Sequence, residues 1–362
     1  MTGLNLRNIM GKISKGFSTA SRSGLLWPLI FFGLILLVNA FINPGFFDIE
    51  IKDGRLSGSL IDIMNRSSYI ILLAIGMTFV VATAGIDISV GAVVAISAAI
   101  SAYLIGGTLV VENGVQQYVS FMPMPVAIIA ALLIATALGM WNGLLISRMG
   151  LQPIIATLIL MVAGRGIAQL ITSGQIITIY YKPFFFIGGG YLFGIPFSIY
   201  IVAAVLAVVM FLKKRTALGL FIQSVGINKT ATRFAGINSS NIILWVYAFS
   251  GFCAGIVGLL VCSNNKSADG NNAGYNMELD AILAVVLGGT SLAGGKFYIM
   301  GSVIGGLIIQ SLTTTIFSIK EIKPEANLVV KAVIVFVVCL IQSESFRKKV
   351  AGVIFLREKK SL

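Results

Sequence analysis

Residues 60–104 read LIDIMNRSSYIILLAIGMTFVVATAGIDISVGAVVAISAAISAYL. Two apolar runs, 60–83 and 88–104, flank one short polar break. A helix that crosses a bilayer needs about 20 mainly apolar residues. The runs approach that length and lack strict alternation, which favours helices over a barrel. The break carries the chemistry. Gly85 interrupts the first run, Asp87 stands where a new helix can begin, and Ser89 falls in its first turn. A carboxylate at membrane depth costs about 2.5–3.5 kcal/mol on insertion scales, so it needs a local reason. Asp87 either caps a broken or re-entrant helix by accepting from backbone N–H groups, or carries a proton or cation. The flanking Gly85 and Ser89 favour the cap.

The rest of the chain repeats this pattern. Of 362 residues, 57% are hydrophobic and 11% charged, with mean hydropathy +0.97. Soluble domains carry about 25% charged residues, and a soluble fold of this composition would expose too much apolar surface. The chain reads as an all-α integral membrane protein. Candidate spans are 27–42, 60–83, 88–104, 125–147, 153–171, 196–212, 242–262, 279–292, 299–319 and 328–342, about ten helices. The first follows a basic tail (Arg7, Lys12, Lys15, Arg22) and is not trailed by a small-residue cleavage site, so it reads as a span and not a signal peptide.

The net charge of +13 could suit nucleic acid. Orientation explains it better, because cytoplasmic loops are enriched in Lys and Arg. With the N-terminus inside, the tails, Arg148, the segment 213–241 and Lys296 hold more than twice as many basic residues as the opposite face. N-in/C-in follows, against the pull of Lys320 and Lys323. The organisation is then a cytoplasmic tail 1–26, a membrane domain 27–342 and a cytoplasmic tail 343–362. Spans two to five and seven to ten run in opposite senses, as in an inverted repeat. With no histidine, there is no His-based metal site or general base. Cys253, Cys262 and Cys339 match no zinc or redox spacing and read as small core residues.

Residues 213–241, KKRTALGLFIQSVGINKTATRFAGINSSN, form one long internal basic stretch. Short amphipathic helices are expected at 217–221 and 229–234 with a turn at 224–228. Asn228 serves as N-cap and Gly236 as stop. A solvated loop on anionic headgroups is the bland alternative. Leu218, Phe221, Ile222 and Phe234 argue instead for a docking platform for a cytoplasmic partner.

Three further stretches bear on a pathway. Arg165, between Gly164 and Gly166, either snorkels to headgroups or faces a polar path. Residues 267–280, SADGNNAGYNMELD, are turn formers that lack the twelfth-position Glu of a calcium loop. They pack over the mouth of a pathway or meet an outside partner. In 286–295, VLGGTSLAGG, Gly288 and Gly289 permit close approach and a helix interruption. Gly295 stands where a phosphate loop requires Lys, so ATP is not bound here by that route. Asn142, Gln152, Thr157, Gln169 and Asn272 are pathway candidates by polarity and placement.

Residues 72–92, 151–175, 224–238 and 268–295, in this order, resemble the permease subunits of bacterial sugar ABC importers of the ribose/galactose type. Among these the chain is most similar to permeases of galactofuranose importers, over about 53–342. The resemblance implies a type II importer permease fold with ten helices in the bacterial cytoplasmic membrane. It implies a cytoplasmic ABC ATPase that holds ATP and Mg, a second, related but non-identical permease, and an extracytoplasmic sugar-binding protein, periplasmic or lipid-anchored. Membrane lipid surrounds the chain, and no nucleic acid, cofactor, metal or catalytic residue belongs to it. The coupling helices map onto Ala217, Phe221, Gly226, Asn228, Ala231 and Gly236. From the residues themselves, the candidates for the pathway and helix breaks are Gly85, Asp87, Ser89, Asn142, Gln152, Thr157, Arg165, Asn272, Gly288 and Gly289. Ala84 departs from the usual Gly, Ile88 from Leu and Thr232 from Ala. The alternative is an ion-coupled secondary transporter using Asp87 or Asp280. A membrane enzyme would need a nucleophile–base or metal constellation, which the sequence does not show.

Overall fold

The computed structural model describes residues 25–43, 45–52, 54–106, 108–112, 115–319 and 327–342. Almost all of the expected tails, with Lys320 and Lys323, lies outside the described residues. The long apolar runs form helices because backbone groups in lipid must be satisfied within the segment. In chain order these are α1 (Leu26–Ile42), α2 (Ser59–Ala82), α3 (Val90–Ile105), α4 (Met124–Ser147) and α5 (Pro153–Ile171). A single-turn α6 (Phe186–Gly189) precedes α7 (Phe197–Arg215). The short α8 (Leu218–Ile227) and α9 (Lys229–Phe234) follow. The chain continues through α10 (Ser239–Asn265), α11 (Met277–Leu287), α12 (Ile299–Ser318) and α13 (Asn327–Gln342).

Six of these, α2, α4, α5, α7, α10 and α12, are long and apolar enough to cross a membrane. The apolar helices α1 and α3 are shorter, at 17 and 16 residues. The span expected at 279–292 is corrected: α11 has 11 residues, too few to cross. Its arrest is a packing effect. A methyl at Gly288 would strike the backbone of Gly301 on α12, and Gly289 turns away at φ +85°. The all-α expectation stands, with four short two-stranded antiparallel sheets beside the helices among the described residues. They pair β1 (Glu50–Lys52) with β2 (Arg55–Ser57), and β3 (Thr108–Glu112) with β4 (Val115–Val119). They also pair β5 (Ile177–Thr178) with β8 (Ser267–Ala268), and β6 (Tyr191–Leu192) with β7 (Ile195–Pro196).

The core gathers around α10, which packs on α2, α3 and α4, while α12 packs on α2. The α4 contact is made by small residues. Ala127, Ala131, Ala135, Gly139 and Gly143 recur every fourth position and are buried. A methyl on Gly251 of α10 would lie 2.9 Å from Gly139 Cα, so the backbones themselves touch. Gly251 and Gly255 supply the small-xxx-small spacing that permits this. Without a hydrophobic drive between helices in lipid, polar side chains add to the packing. Thr78 Oγ1 lies 2.7 Å from Ser302 Oγ, Asn39 Nδ2 donates to Thr315 Oγ1 at 2.7 Å, and Ser97 Oγ donates to the Gly255 carbonyl at 2.8 Å. Cys253 and Cys262 are buried and free, while the Cys339 side chain lies outside the described residues. By contrast α4, α5 and α7 turn mostly apolar, exposed faces outward.

Both chain breaks re-enter the bundle. From Gly91 to Ile105, α3 rises about 21 Å. Its far end meets the β5–β8 rim, where a methyl on Gly106 would touch Ile177. Gly274 packs against Gly91 at the near end. The segment 268–274 therefore descends along α3 from the rim, and α11 starts deep in the bundle. Irregular backbone at that depth is tolerated because protein surrounds it.

Candidate functional site

The first part of the site is the polar break after α2. Asp87 is 1% exposed. Its Oδ1 accepts from the Ser89 backbone N–H at 3.0 Å and from Ser89 Oγ at 2.6 Å, just ahead of α3. Its Oδ2 accepts from Ser250 Oγ of α10 at 2.9 Å. Asn142 Nδ2 of α4 donates to Ser89 Oγ at 2.9 Å, which extends the network to a third helix. Tyr247 Oη lies against Gly85, where an added methyl would sit 2.5 Å from it. The sequence identified Asp87, Ser89, Gly85 and Asn142. Ser250 and Tyr247 were missed, because a serine and a tyrosine in an apolar helix read as ordinary core. Thr157 bonds its own helix, to the Pro153 carbonyl at 2.9 Å, and reaches the Ile86 carbonyl at 3.4 Å.

The second part is the α8–α9 ledge. Helix α8 runs on to Ile227, so the turn expected at 224–228 is corrected to a single residue, Asn228. Continuous helix wins because Val225 is buried and Gly226 is seated on the Ala82 and Gly295 backbone. The expected stop and start are both present. Asn228 Oδ1 accepts from the Ala231 N–H at 2.9 Å, and Gly236 ends the ledge at φ +82°. Ala217 begins α8, its carbonyl accepting from the Phe221 N–H at 2.9 Å. The outer side of the ledge is bare: Ala231 is exposed, Phe234 is 88% exposed and Ile227 71%.

The inner side of the ledge is seated on backbone. A methyl on Gly226 would collide with the Ala82 carbonyl and the Gly295 nitrogen. The Gly295 N–H itself donates to the Ala82 carbonyl at 2.9 Å. Gly294 at φ +87° lies against Ala84, and Ala84 holds a left-handed φ of +60°. A glycine would adopt that conformation without strain, whereas alanine pays about 1–2 kcal/mol. The ledge, the end of α2 and the 288–295 turn thus meet at one junction. Beside it a cavity of about 370 Å³ is lined by Gly85, Gln152, Gly226, Lys229 and Tyr247 among others.

A third cluster joins α5 to the descending loop. Arg165 Nη1 donates to the Asn271 carbonyl at 3.3 Å and to the Ala273 carbonyl at 2.5 Å. It therefore neither snorkels nor stands free in a path; it ties α5 to the descending loop. Gln169 Nε2 donates to Asn271 Oδ1, and Asn272 Nδ2 to Asp269 Oδ2, both at 2.7 Å. Burial acts against ionisation of Asp269, but the Asn271 and Asn272 N–H donors and Arg165 outweigh it and hold the carboxyl below the usual range. Asn272 lines a second cavity of about 470 Å³ with Asp269, Asn265 and Ser267. The candidates therefore divide. Gly85, Asp87, Ser89, Asn142, Gln152 and Thr157 gather toward the ledge. Arg165, Gln169 and Asn272 gather along the descending loop, and Gly288–Gly289 serve helix packing. Asp280 is paired, accepting from Lys331 Nζ at 2.6 Å.

The chain is similar to known proteins over most of its length. The family model described as "Branched-chain amino acid transport system / permease component" matches residues 59–339. The galactofuranose transporter permease protein YtfT of Escherichia coli K12 is 44% identical, over 93% of this chain and 96% of its own. The ribose import permease protein RbsC of Haemophilus influenzae is 38% identical over 88% and 94%. The fructose import permease protein FruF of Bifidobacterium longum is 37% identical over 89% and 88%. No solved structure matches the chain.

Proposed function

We propose, from the premise that this chain belongs to the branched-chain amino acid transport system / permease component family, that it is the membrane subunit of an ABC importer for a galactofuranose- or galactose-like monosaccharide. Its relatives are sugar permeases, and a multi-pass permease without its own ATPase site is the role they share. The observation that carries the coupling role is the bare α8–α9 ledge seated backbone-on-backbone against Ala82 and Gly295. A force applied to Ala231 or Phe234 by a cytoplasmic ATPase reaches the α2–α3 break with no flexible side chain between. ATP and Mg belong to that partner.

The finer reading is as follows. The chain lies in the bacterial cytoplasmic membrane with both tails inside. It threads the bilayer ten times, once through the descending segment 268–276 together with the half-helix α11 that follows it. Residues 27–342 form the permease domain, with the coupling loop at 213–241. A related, non-identical permease completes the pathway, and an extracytoplasmic binding protein presents sugar at the rim near Asn272. Sugar passes by weak polar contacts with no tight site. The β5–β8 pairing and the Leu56 N–H bond to the Gly194 carbonyl at 3.0 Å support one common rim opposite the ledge.

Reconstitution tests this. Proteoliposomes holding the chain with its second permease and ATPase, given binding protein and ATP, should accumulate galactofuranose in preference to ribose or fructose. Omitting the ATPase should abolish uptake. Uptake by this chain alone, driven by an ion gradient, would instead favour a secondary transporter built on Asp87.

A further inference from the structure

Beside the ledge, an apolar slot and a basic pocket open onto one another. The slot, about 420 Å³, lies between α7, α8 and α10 and is walled by Phe79, Val209, Leu212, Ile242, Val246 and Phe249. From Asn241 at its mouth to Phe249 at its end it follows α10 for about 12 Å. The pocket, about 440 Å³, is lined by Lys213, Lys296, Gln223 and Tyr298 among others. Lys213 belongs to both, and Phe297 of the pocket meets Phe79 of the slot edge to face at 5.5 Å, with Lys213 Nζ 4.5 Å from its ring centroid. Among the described residues, no acidic side chain lines either space. The lysine lies at the end of α7, followed by Lys214 and Arg215, where an apolar span meets water.

We infer that the slot and pocket together hold one anionic phospholipid of the ledge-side leaflet. An acyl chain lies along α10 and the headgroup phosphate lies between Lys213 and Lys296. An apolar channel that ends in two cations, with no acidic side chain in its described lining, complements an amphiphile with a negative head. An uncharged ligand, whether a sugar or an apolar peptide, would leave the basic pocket without a counter-charge. Near a membrane surface each lysine adds attraction to anionic lipid. The inference rests on the chain spanning a membrane and is independent of its cargo.

The test uses the full chain in nanodiscs of equal phosphatidylglycerol and phosphatidylcholine, released for native mass spectrometry. Wild type should retain phosphatidylglycerol over phosphatidylcholine by roughly 30-fold, the preference two lysines supply. Lys213→Ala/Lys296→Ala should bring that ratio close to one. Leu212→Trp, on the exposed lip of the slot, should reduce retention of either lipid at least tenfold, with thermal unfolding of each variant confirming the fold. An unchanged ratio in the double alanine variant overturns the inference. So does undiminished retention in Leu212→Trp, or a photo-crosslink from position 212 to the chain's own residues 1–24.

Discussion

Gly226 meets a carbonyl and a peptide nitrogen, neither of which can rotate away as a side chain would. Gly226→Ala should therefore cost about 1–3 kcal/mol, the usual range for overpacking, and lift α8 from its seat. The measurements are thermal unfolding in detergent and ATPase stimulation by the loaded binding protein, and both should fall. Ala231→Trp separates the two readouts: it is exposed, so stability should stay within about 0.5 kcal/mol while stimulation is lost. Asp269 makes a pH prediction. Its folded carboxyl titrates below the ordinary value of 3.8, so its contribution is full above that value and is lost as pH falls through the lower, folded one. Amide protection at 269–273 should decline over that acid window, and in Asp269→Asn the decline should disappear. At this scale the sequence was informative wherever charge or backbone geometry made a residue expensive. Asp87 announced itself because a carboxylate in an apolar run needs partners, whereas the partner Ser250 has no such cost and gave no signal.

At the level of elements, the ledge depends on its cap. Asn228→Ala removes the acceptor for the Ala231 N–H and should destabilise α9 by about 1 kcal/mol. Hydrogen exchange at 229–234 should speed accordingly while α8 stays protected, and equal loosening of both helices would contradict a local cap. Asn228 and Gly236 were readable because caps and stops are local chemistry. The extent of α8 was not, because Ser224 and Gly226 look like turn residues until Ala82 and Gly295 pack against them. The same limit explains 279–292. Its apolar run reads on past Gly288, but contact with Gly301, far along the chain, ends the helix there. The strands of the rim escaped notice for a related reason. Two-residue pairings such as Ile177 with Ala268 arise from where helices place the chain ends, not from any strand-like pattern.

For the molecule as a whole, the rim and the ledge should lie on opposite sides of the membrane. Phe193, 90% exposed in the β6–β7 turn, and Phe234, 88% exposed on the ledge, are suitable reporters. A membrane-impermeant thiol reagent applied to intact cells should label Phe193→Cys and spare Phe234→Cys, with labelling of both restored after lysis. The reverse pattern would invert the molecule. The membrane class was legible from composition alone, but the re-entrant course of 268–274 was not, since only the packing of Gly274 on Gly91 reveals it. The contact between α4 and α10 limits how such a body can move. Its small residues recur every four positions, so sliding one helix past the other has no intermediate rest and must jump a full notch of about 6 Å. The pair therefore behaves as a locked spindle. Opening and closing of any pathway must be rotation about that spindle or movement of the lightly packed α5 and α7 around it.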